Sequence, residues 1–538
     1  MTTRAHDTDV LILGAGHNGL VCAYYLARAG LKVTMLERRG VVGGAAVTEE
    51  FHPGFRNSVA SYTVSLLNPK VVSDMELPRH GLRVVERKVA NFLPLPDGDY
   101  LLTGEGRTAA EVARFSARDA ARLDAYGERL DAIADVLRAL ILETPPNVVE
   151  GGLRAAIPEL IKSLSLGRRL AGLSTTGRRD LLALFSQSAG DYLDGWFESE
   201  PIKAVFGFDG VVGNFASPYT PGSAYVLLHH VFGEVNGKKG AWGHAIGGMG
   251  AITQAMARAC AEQGVEILTD CAVTEVLTEK GRATGAVTAS GKVIRARTVV
   301  SNLHPKLLFS GLMDGAVLPS DFKERIDRYR SGSGTFRMNV ALSELPRFTS
   351  LPEAGDHMTA GIIMAPSLAY MERAFIDART HGWSKAPIVE MLIPSTLDDS
   401  LAPERRHVAS LFCQHVSPVL SGGRSWDDHR EEVADLMIDT VESHAPGFKA
   451  SVLGRQINSP LDLERTFGLI GGDIFHGKLE LDQLFSARPV LGHGAYRGPL
   501  AGLYLCGAGS HPGGGVTGAP GHNAAREILK DLRRGGGR

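Results

Sequence analysis

The sequence predicts an α/β fold in which one domain is built around a parallel sheet. The first observation is the order strand, glycine-rich turn, helix, strand between Asp9 and Glu37. The second is the order strand, glycine-rich loop, helix between Leu503 and Leu532. The third is the length of 538 residues, which is too great for one simple core. Together they predict a Rossmann-like domain accompanied by a second domain.

The N-terminal unit has the spacing of a dinucleotide site. Residues 10–13 form an apolar strand, 20–29 a helix rich in Ala and Leu, and 32–36 a second strand that ends at Glu37. Three glycines with the spacing GxGxxG follow the first strand: Gly14, Gly16 and Gly19. They allow a tight turn, close approach to a pyrophosphate and close packing of helix on strand. The N-terminus of the helix favours binding of the negatively charged phosphates, and Glu37 is placed to accept hydrogen bonds from the ribose hydroxyls.

The C-terminal unit decides between NAD(P) and FAD, which can both use the N-terminal unit. One helix follows the strand 503–506 and the loop Gly507–Gly521, and one helix is too little for a separate mononucleotide unit. We therefore expect this block to join the first sheet and to place its loop beside the first glycine-rich turn. A flavin needs such a second anchoring point, whereas nicotinamide does not. The alternative is that Gly513–Gly515 is a flexible surface loop, and the sequence favours FAD.

Composition and charge exclude several classes of function. A net charge of −2 gives no footprint for nucleic acid, and no apolar run reaches the length of a membrane span, about 18 residues. The N-terminal residues do not form a signal peptide, so we expect a cytoplasmic protein. Five scattered cysteines form no CxxC pair, and the motifs HExxH and GxSxG are absent. We therefore expect no metal site and no serine nucleophile.

Residues 9–50 and 502–525 resemble the phytoene desaturase-like FAD oxidoreductases, a group that includes carotenoid desaturases and FAD-type carotenoid ketolases. Within that group the chain is similar to the family of pyridine nucleotide-disulphide oxidoreductase domain-containing protein 2. The resemblance extends over nearly the whole chain, for example through SPYTPGSAYVLLHHVFG at 217–233 and DLERTFGLIGGDIFHG at 462–477. The family's name suggests a pyridine nucleotide and a disulphide, but the sequence has no redox CxxC and no second complete βαβ unit.

The resemblance implies a Rossmann-like FAD-binding domain of the glutathione reductase type and a discontinuous α+β substrate-binding domain. We expect residues 1–65, 245–305 and 465–538 to form the first domain, and residues 66–244 and 306–464 to form the second. The resemblance also implies that FAD is held non-covalently.

Carried onto this chain, the resemblance implies fifteen cofactor-binding residues: Gly14, Ala15, Gly16, Asn18, Gly19, Glu37, Arg38, Gly43, Gly44, Ala45, Val273, Gly507, Ala508, Gly515 and Val516. In this assignment Gly43 and Gly44 let the chain pass close to the central phosphates, and Val273 meets the adenine through its backbone. Gly515 and Val516 lie along the ribityl chain and the flavin ring.

The substrate side offers fewer signals. Aromatic and histidine side chains crowd one segment that the fold would place near the flavin: Tyr219, Tyr225, His229, His230 and Trp242. Tyr225 and His229 are catalytic candidates, and their alternative role is that of core or interface residues of a strand. His511 is a further catalytic candidate as a polar group beside the flavin ring. Its alternative role is to bond backbone carbonyls within a loop.

These features predict an FAD-dependent, phytoene dehydrogenase-like oxidoreductase that desaturates or oxidises a hydrophobic small molecule, with oxygen or a quinone as electron acceptor. One alternative is a flavin amine oxidase, whose usual aromatic pair facing the flavin is not identifiable in the sequence. The other is a flavin-bearing binding or regulatory protein with little turnover. The sequence shows no clear amphipathic anchor, so peripheral membrane contact stays open, as does the oligomeric state. Mitochondrial association follows only from the family resemblance.

Overall fold

The structure, a computed structural model, describes residues 6–147, 149 and 152–535. Within them, two seven-stranded sheets organise the chain. One is a mainly parallel sheet flanked by helices, and the other is mainly antiparallel. The predicted α/β class, with a Rossmann-like domain and a separate α+β domain, is therefore confirmed.

The strands divide between these sheets and three smaller pairs. In chain order they are β1 (Thr8–Leu13), β2 (Val33–Leu36), β3 (Thr48–His52), β4 (Phe55–Ser58), β5 (Val84–Glu86), β6 (Asn91–Pro94), β7 (Tyr100–Thr103), β8 (Glu234–Val235), β9 (Lys238–Lys239), β10 (Gly243–Ala245), β11 (Glu266–Leu268), β12 (Val273–Glu279), β13 (Arg282–Thr288), β14 (Val293–Ser301), β15 (Phe336–Leu342), β16 (Gly361–Met364), β17 (Trp383–Leu392), β18 (His407–Val416), β19 (Val452–Asn458) and β20 (Leu503–Leu505).

The α-helices cover both large sheets and form a separate cluster in the first half of the chain. In chain order they are α1 (His17–Arg28), α2 (Pro69–Asp74), α3 (Thr108–Ala113), α4 (Ala117–Ala120), α5 (Leu123–Ile141), α6 (Gly152–Ala171), α7 (Thr175–Ser186), α8 (Ala189–Trp196), α9 (Glu200–Val211), α10 (Ala224–Val231), α11 (Gly250–Glu262), α12 (Ser320–Asp327), α13 (Leu368–His381), α14 (Trp426–His444), α15 (Phe448–Ser451), α16 (Pro460–Phe467) and α17 (Ala519–Arg533).

The first large sheet has the strand order β11-β2-β1-β14-β13-β12, and β20 pairs with β14. Strands β1, β2, β11, β14 and β20 run parallel, with Val10 beside Val33 and Val299 beside Leu503. The C-terminal strand thus joins the N-terminal sheet, as the sequence predicted. Helices α1, α11 and α17 pack on one face, which explains why β1 is almost wholly buried.

Two helices that pack on this sheet begin earlier in the chain than the apolar pattern of the sequence predicts. Helix α1 begins at His17 and helix α17 at Ala519, directly after Gly16 and Gly518. Gly518 has a φ of 73°, a backbone conformation that favours glycine. The glycine therefore sets the start of α17, and the first turn lies upstream of the apolar periodicity that the sequence shows.

The second large sheet has the order β19-β15-β18-β17-β16-β6-β7. Its neighbours are antiparallel except β6 and β16, which are parallel. Strands β15 and β18 are buried along almost their whole length because α13 and α14 pack nearby. Strands β6, β17 and β18 of this sheet supply side chains to the cavity described below.

A helical cluster of α5 and α7 to α10 packs beside the second sheet. Tyr225 and His229 lie on helix α10, so the expectation that they belong to a strand is wrong. Their segment, AYVLLHHV, is rich in β-branched and aromatic residues, which favours a strand locally. Burial of Ala224, Leu227 and Leu228 against the helical cluster stabilises the helix instead.

The exact domain limits stay a prediction, and their outermost residues, 1–5 and 536–538, lie outside the described part of the chain. None of the described helices combines the length and apolar character that a membrane span requires.

Candidate functional site

The glycine-rich turn between β1 and α1 forms one end of the candidate site. Gly14 has a φ of 91°, and a Cβ on Gly19 would lie 2.4 Å from the carbonyl oxygen of Gly14. A Cβ on Gly16 would lie 2.7 Å from Nδ2 of Asn302, the residue after β14. Larger residues would push these three segments apart. The glycines therefore hold the N-terminus of α1 close to the ends of two parallel strands, where an anion binds favourably.

Glu37 stands at the end of β2 and faces this turn. Its Oε2 accepts a 2.8 Å hydrogen bond from the N–H of Ala15, and its Oε1 accepts one of 3.1 Å from the N–H of Arg39. A carboxylate has about four acceptor sites, so it can accept further hydrogen bonds from a ligand. The position after β2 and the free lone pairs suit the ribose hydroxyls predicted for Glu37.

One cavity extends from the glycine turn to the second sheet. Twelve of the fifteen predicted cofactor-binding residues line it: Gly14, Gly16, Asn18, Glu37, Arg38, Gly43, Gly44, Ala45, Val273, Ala508, Gly515 and Val516. The other three predicted residues, Ala15, Gly19 and Gly507, support its wall. Gly507 packs against residue 302, since a Cβ there would lie 2.7 Å from the carbonyl oxygen of Asn302. The cavity therefore has the shape and position to hold a long ligand across the ends of the parallel strands.

Buried polar atoms at the glycine-turn end of the cavity fit a bound dinucleotide. His17 Nε2, Asn18 Oδ1 and Arg39 Nη1 have no hydrogen-bond partner among the described residues. Buried polar groups are nearly always hydrogen-bonded in native proteins, so these three atoms call for a ligand. Burial lowers the pKa of His17 to about 4, so its ring is neutral. The ring N–H of a neutral His17 and the guanidinium of Arg39 can donate to the phosphates of FAD, and Asn18 Oδ1 can accept a hydrogen bond from a hydroxyl or N–H of the cofactor. The residues present therefore fit FAD.

The C-terminal glycine-rich loop forms the middle of the cavity wall. Gly515 has a φ of 110°, and a Cβ there would lie 2.5 Å from Cδ1 of Leu66. Arg488, which is fully buried, holds the loop by donating to the carbonyl oxygens of Ala508 and Phe475. The alternative of a flexible surface loop is therefore wrong, because Gly513–Gly515 are buried or half-buried and packed against neighbouring segments of the chain.

Aromatic side chains line the other end of the cavity, which we call the aromatic chamber: Tyr62, Phe208, Trp242, Phe412 and Phe475. The rings of Tyr62 and Phe412 lie 5.2 Å apart with 32° between their planes. The guanidinium of Arg337 lies 4.5 Å from the centre of the Tyr62 ring. Arg337 is itself fixed by hydrogen bonds to Ala60, Leu411 and Ser410. Arg337 thus contacts both rings of this wall, and their aromatic surface suits an apolar group.

Two carboxyl groups and an arginine also face the aromatic chamber. The hydroxyl of Tyr62 donates to Oε2 of Glu390 at 2.5 Å, and Arg87 donates to the hydroxyl of Thr63. Burial raises the pKa of Glu390, and the hydrogen bond from Tyr62 opposes that rise. Burial also raises the pKa of Asp209 to about 8, with a further contribution from the charge of Glu390. At pH 7 Asp209 is therefore mainly protonated and can give or take a proton.

The three catalytic candidates from the sequence lie outside the wall of this cavity as the described residues define it. His511 Nε2 lies 3.2 Å from the carbonyl oxygen of Leu140. This contact agrees with the alternative role of His511, a loop histidine that bonds backbone carbonyls. His229 lies behind the C-terminal loop, since a Cβ on Gly515 would come within 3.3 Å of its Nε2. Tyr225 belongs to a buried apolar cluster with Phe475. Catalytic roles for these residues stay predictions without support from their positions.

Two other residues of the same aromatic segment do face the aromatic chamber. His230 and Trp242 line it, with their ring planes 10° apart and their centroids 5.9 Å apart. His230 Nδ1 lies 2.8 Å from the carbonyl oxygen of Val226, and burial lowers the pKa of His230 to about 4. Two residues of the aromatic segment, His230 and Trp242, thus line the cavity, whereas the catalytic candidates Tyr225 and His229 do not. Tyr219 instead bonds Asp194 at the surface.

Sequence reasoning missed the polar groups of the aromatic chamber. Tyr62, Arg87, Asp209 and Glu390 lie on four different segments, and no local motif connects them. Asn302 was also missed, although it follows a predicted strand. One signal was available for Glu390, an acid within the otherwise apolar run 388–393 of the sequence, because a buried ionisable residue requires a specific partner.

Comparison with known proteins agrees with this geometry. Residues 19–335 match the model of the family described as flavin containing amine oxidoreductase. Pyridine nucleotide-disulfide oxidoreductase domain-containing protein 2 of Rattus norvegicus is 42% identical, over 98% of this chain and 94% of its own length. The lycopene-forming phytoene desaturase of Pseudescherichia vulneris is 24% identical, over 97% of this chain and 99% of its own. A solved structure of putrescine oxidase bound to putrescine has a TM-score of 0.59 at 16% identity, covering 98% of this chain and 99% of that one.

Proposed function

This chain belongs to the flavin-containing amine oxidoreductase family and uses FAD, and from that premise we propose that it oxidises a hydrophobic organic substrate in the aromatic chamber. The observation that carries the proposal is the continuity of the chamber with the dinucleotide cleft in one cavity. Catalysis on a flavin requires the reacting bond beside the ring, and a shared cavity allows this. The resemblance to a phytoene desaturase agrees with an apolar substrate.

The residues of the aromatic chamber have distinct tasks in this proposal. FAD, when bound, accepts the two electrons and the hydrogen that leave the substrate. Tyr62 and Phe412 orient an apolar part of the substrate and exclude water from it. Asp209, protonated at pH 7 because of its raised pKa, holds or exchanges a proton at its carboxyl oxygen. Glu390, held by Tyr62, keeps a second carboxyl group on the same wall.

The fold also supports the proposed electron acceptors, oxygen or a quinone. Within the described residues the parallel βαβ arrangement occurs in the first sheet, whereas the second sheet is antiparallel except for one strand pair. A second nucleotide domain for NAD(P)H would need a further parallel unit with its own glycine-rich turn. This supports an acceptor that reaches the flavin directly from solvent or from a lipid phase.

Amine oxidation is a second candidate, because the aromatic chamber contains an aromatic pair that the sequence did not reveal. Tyr62 and Phe412 form this pair, and the carboxyl groups of Asp209 and Glu390 could attract an ammonium group. The similarity to a putrescine oxidase concerns the fold alone and is compatible with amine oxidation. The raised pKa of Asp209 favours oxidation of an apolar substrate over amine oxidation, because a neutral carboxyl group attracts an ammonium group less strongly than a carboxylate does.

An anaerobic titration separates these functions. The purified yellow protein is mixed without oxygen with apolar alkenes and acyl compounds, with primary amines, and with NADH and NADPH. We expect an apolar donor to bleach the visible flavin absorbance, and the nicotinamides to leave it unchanged. Bleaching by amines alone would favour the second candidate. No bleaching by any organic donor would favour a flavin-bearing binding protein, and rapid bleaching by NADH would contradict the proposed electron path.

A further inference from the structure

Arg87 brings a guanidinium group to the aromatic chamber. It follows strand β5, and its backbone N–H donates to the carbonyl oxygen of Trp242 at 3.3 Å. Its side chain lines the cavity, with Cζ 6.0 Å from the centre of the Trp242 ring. The hydroxyl of Thr63 accepts a hydrogen bond from Nη2 of Arg87 and donates to the carbonyl oxygen of Gly243. These contacts orient the guanidinium group at the chamber wall.

Most donors of this guanidinium group have no protein partner. A guanidinium carries five N–H donors, and one of those of Arg87 bonds the Thr63 hydroxyl. Among the described residues no acid lies within ion-pair distance of Arg87. The phosphates of FAD are assigned to the glycine-turn end of the cavity and do not supply the missing acceptor. Because charged groups away from bulk water require partners, the remaining donors of Arg87 require an acceptor inside the chamber.

The charges around the chamber leave an excess of positive charge. Arg337, fully buried behind the Tyr62 ring, donates to two carbonyl oxygens and a hydroxyl and not to an acid. Burial lowers the pKa of both Arg87 and Arg337, although the charge of Glu390 acts on both in the opposite direction. Asp209, whose pKa burial raises to about 8, is mainly protonated at pH 7. Two guanidinium groups thus share one ionised acid at most, and a bound anion would balance them.

We propose that the substrate oxidised in the aromatic chamber is an apolar molecule that ends in a carboxylate, and that Arg87 binds this carboxylate. The inference rests on the proposed oxidation and names its substrate class. The planar fork of a guanidinium matches a carboxylate through two parallel hydrogen bonds. The rings of Tyr62 and Phe412 line the same chamber and contact the apolar part. Arg87 is therefore a specificity residue that anchors one end of the substrate.

Other end groups fit this wall less well. An ammonium group would meet the like charge of Arg87, and Oε2 of Glu390 already accepts a hydrogen bond from Tyr62. An alcohol can accept a hydrogen bond from Arg87 but leaves the excess positive charge unbalanced. The expected order of affinity is therefore carboxylate, alcohol, ammonium.

Equilibrium binding to the full-length, FAD-bound protein tests this order. The probes have equal chains and different end groups: 3-phenylpropanoate, 3-phenylpropanol and 3-phenylpropylamine. Calorimetric titration without oxygen gives each dissociation constant and does not require oxidation of the probe. We expect the carboxylate to bind about tenfold more tightly than the alcohol, or better, and the amine to bind most weakly. Arg87→Gln should abolish the preference for the carboxylate, and Arg87→Lys should retain part of it, because the charge remains without the fork.

A matched control separates the site from a general change of charge. The side chain of Arg347 is 76% exposed beside Glu344, so Arg347→Gln should keep all the dissociation constants. Visible flavin absorbance checks that each variant is folded and loaded. Thr63→Val removes the hydroxyl that orients Arg87 and keeps the guanidinium group. It should weaken carboxylate binding severalfold and leave alcohol binding unchanged, which provides a test even where Arg87→Gln does not fold.

Equal affinity for the carboxylate and the alcohol overturns the inference, as does tighter binding of the amine. A preference for the carboxylate that persists in Arg87→Gln also overturns it. Anaerobic bleaching of the flavin is a separate measurement. Bleaching by apolar donors without any preference for a carboxylate would contradict the substrate class alone. Tight carboxylate binding that depends on Arg87, without bleaching by any organic donor, would contradict the proposed oxidation and support the carboxylate site.

Discussion

The hydroxyl of Tyr62 donates a 2.5 Å hydrogen bond to Oε2 of Glu390, which joins the loop after β4 to the buried strand β17. The side chain of Arg337 supports the Tyr62 ring from the second sheet. A hydrogen bond to a carboxylate stabilises its charged form. The pair therefore fixes the orientation of an aromatic wall, and its hydrogen bond opposes the rise that burial causes in the pKa of Glu390.

A double-mutant cycle should reveal this pairing. We expect Tyr62→Phe and Glu390→Leu each to lower the free energy of unfolding by about 1–3 kcal/mol, because each leaves a buried polar group without its partner. The double variant should lose clearly less than the sum, since the two residues are in contact. Urea unfolding of the FAD-bound proteins measures this, with Tyr219→Phe at the surface as control. Additive losses would show that the two side chains do not interact.

Asp209 gives a prediction about pH. Burial raises its pKa from 3.8 to about 8, so the folded protein keeps a proton that the unfolded chain releases between about pH 4 and pH 8. The contribution of Asp209 to stability therefore falls as the pH rises through that range. We expect Asp209→Asn to remove this fall and to be the more stable protein at pH 8.

Thermal unfolding midpoints across the same pH range measure the effect of Asp209. The exposed Glu353 supplies the control, since Glu353→Gln should keep the pH dependence of the unmodified protein. Parallel curves for Asp209→Asn and the unmodified protein would mean that Asp209 titrates normally.

The nucleotide end of the cavity was predictable because its chemistry is encoded locally. The turn from Gly14 to Gly19 and the acid at Glu37 lie within one βαβ unit. Gly14 is required by its positive φ, Gly16 by the nearby side chain of Asn302, and Gly19 by the carbonyl oxygen of Gly14. The C-terminal strand was predictable for a similar reason, since connection rules allow it one partner sheet. FAD and the α/β class followed from these two units together.

The aromatic chamber was not predictable, because its members meet only after folding. Tyr62 follows β4, Asp209 lies in the last turn of helix α9, and Glu390 lies in β17. None of these acids or rings belongs to a local motif, and their pKa values depend on burial between the sheets. His511 and His229 were selected because of their neighbours in sequence. In the structure His511 lies beside the carbonyl oxygen of Leu140, and His229 on α10 lies behind the C-terminal loop.

Substitution of Gly515 should remove the cofactor. The φ of 110° and a Cβ position 2.5 Å from Cδ1 of Leu66 leave no space for a side chain, so Gly515→Val must displace the loop that lines the cavity. We expect loss of most bound flavin after purification, measured as the ratio of visible to protein absorbance. Gly422, which has a positive φ but open space around it, is the control. Gly422→Ala should retain FAD. Full flavin content in Gly515→Val would show that this loop does not approach FAD.

Acid stability should depend on Asp398, which links the loop after β17 to the start of α11. Its buried carboxylate accepts hydrogen bonds from the N–H of Gly247 at 2.6 Å and from the hydroxyl of Ser400 at 2.6 Å, and lies 3.0 Å from His244 Nε2. These partners hold the pKa of Asp398 far below its ordinary value of 3.8. The stabilisation is therefore complete above about pH 4 and is lost as the pH falls towards the folded-state pKa.

We expect Asp398→Asn to destabilise the protein at pH 7 by about 1–3 kcal/mol, because the hydrogen bonds to a buried carboxylate are lost or weakened. The variant should also lose less stability than the unmodified protein when the pH is lowered from about 4 to about 2. Urea midpoints at each pH measure both effects, and Asp399→Asn, at the exposed neighbouring position, should change neither. Equal acid sensitivity of Asp398→Asn and the unmodified protein would mean that other carboxylates control acid unfolding. In that case the contact between Asp398 and the turn before α11 would stabilise the fold through packing and not through the charge of the carboxylate.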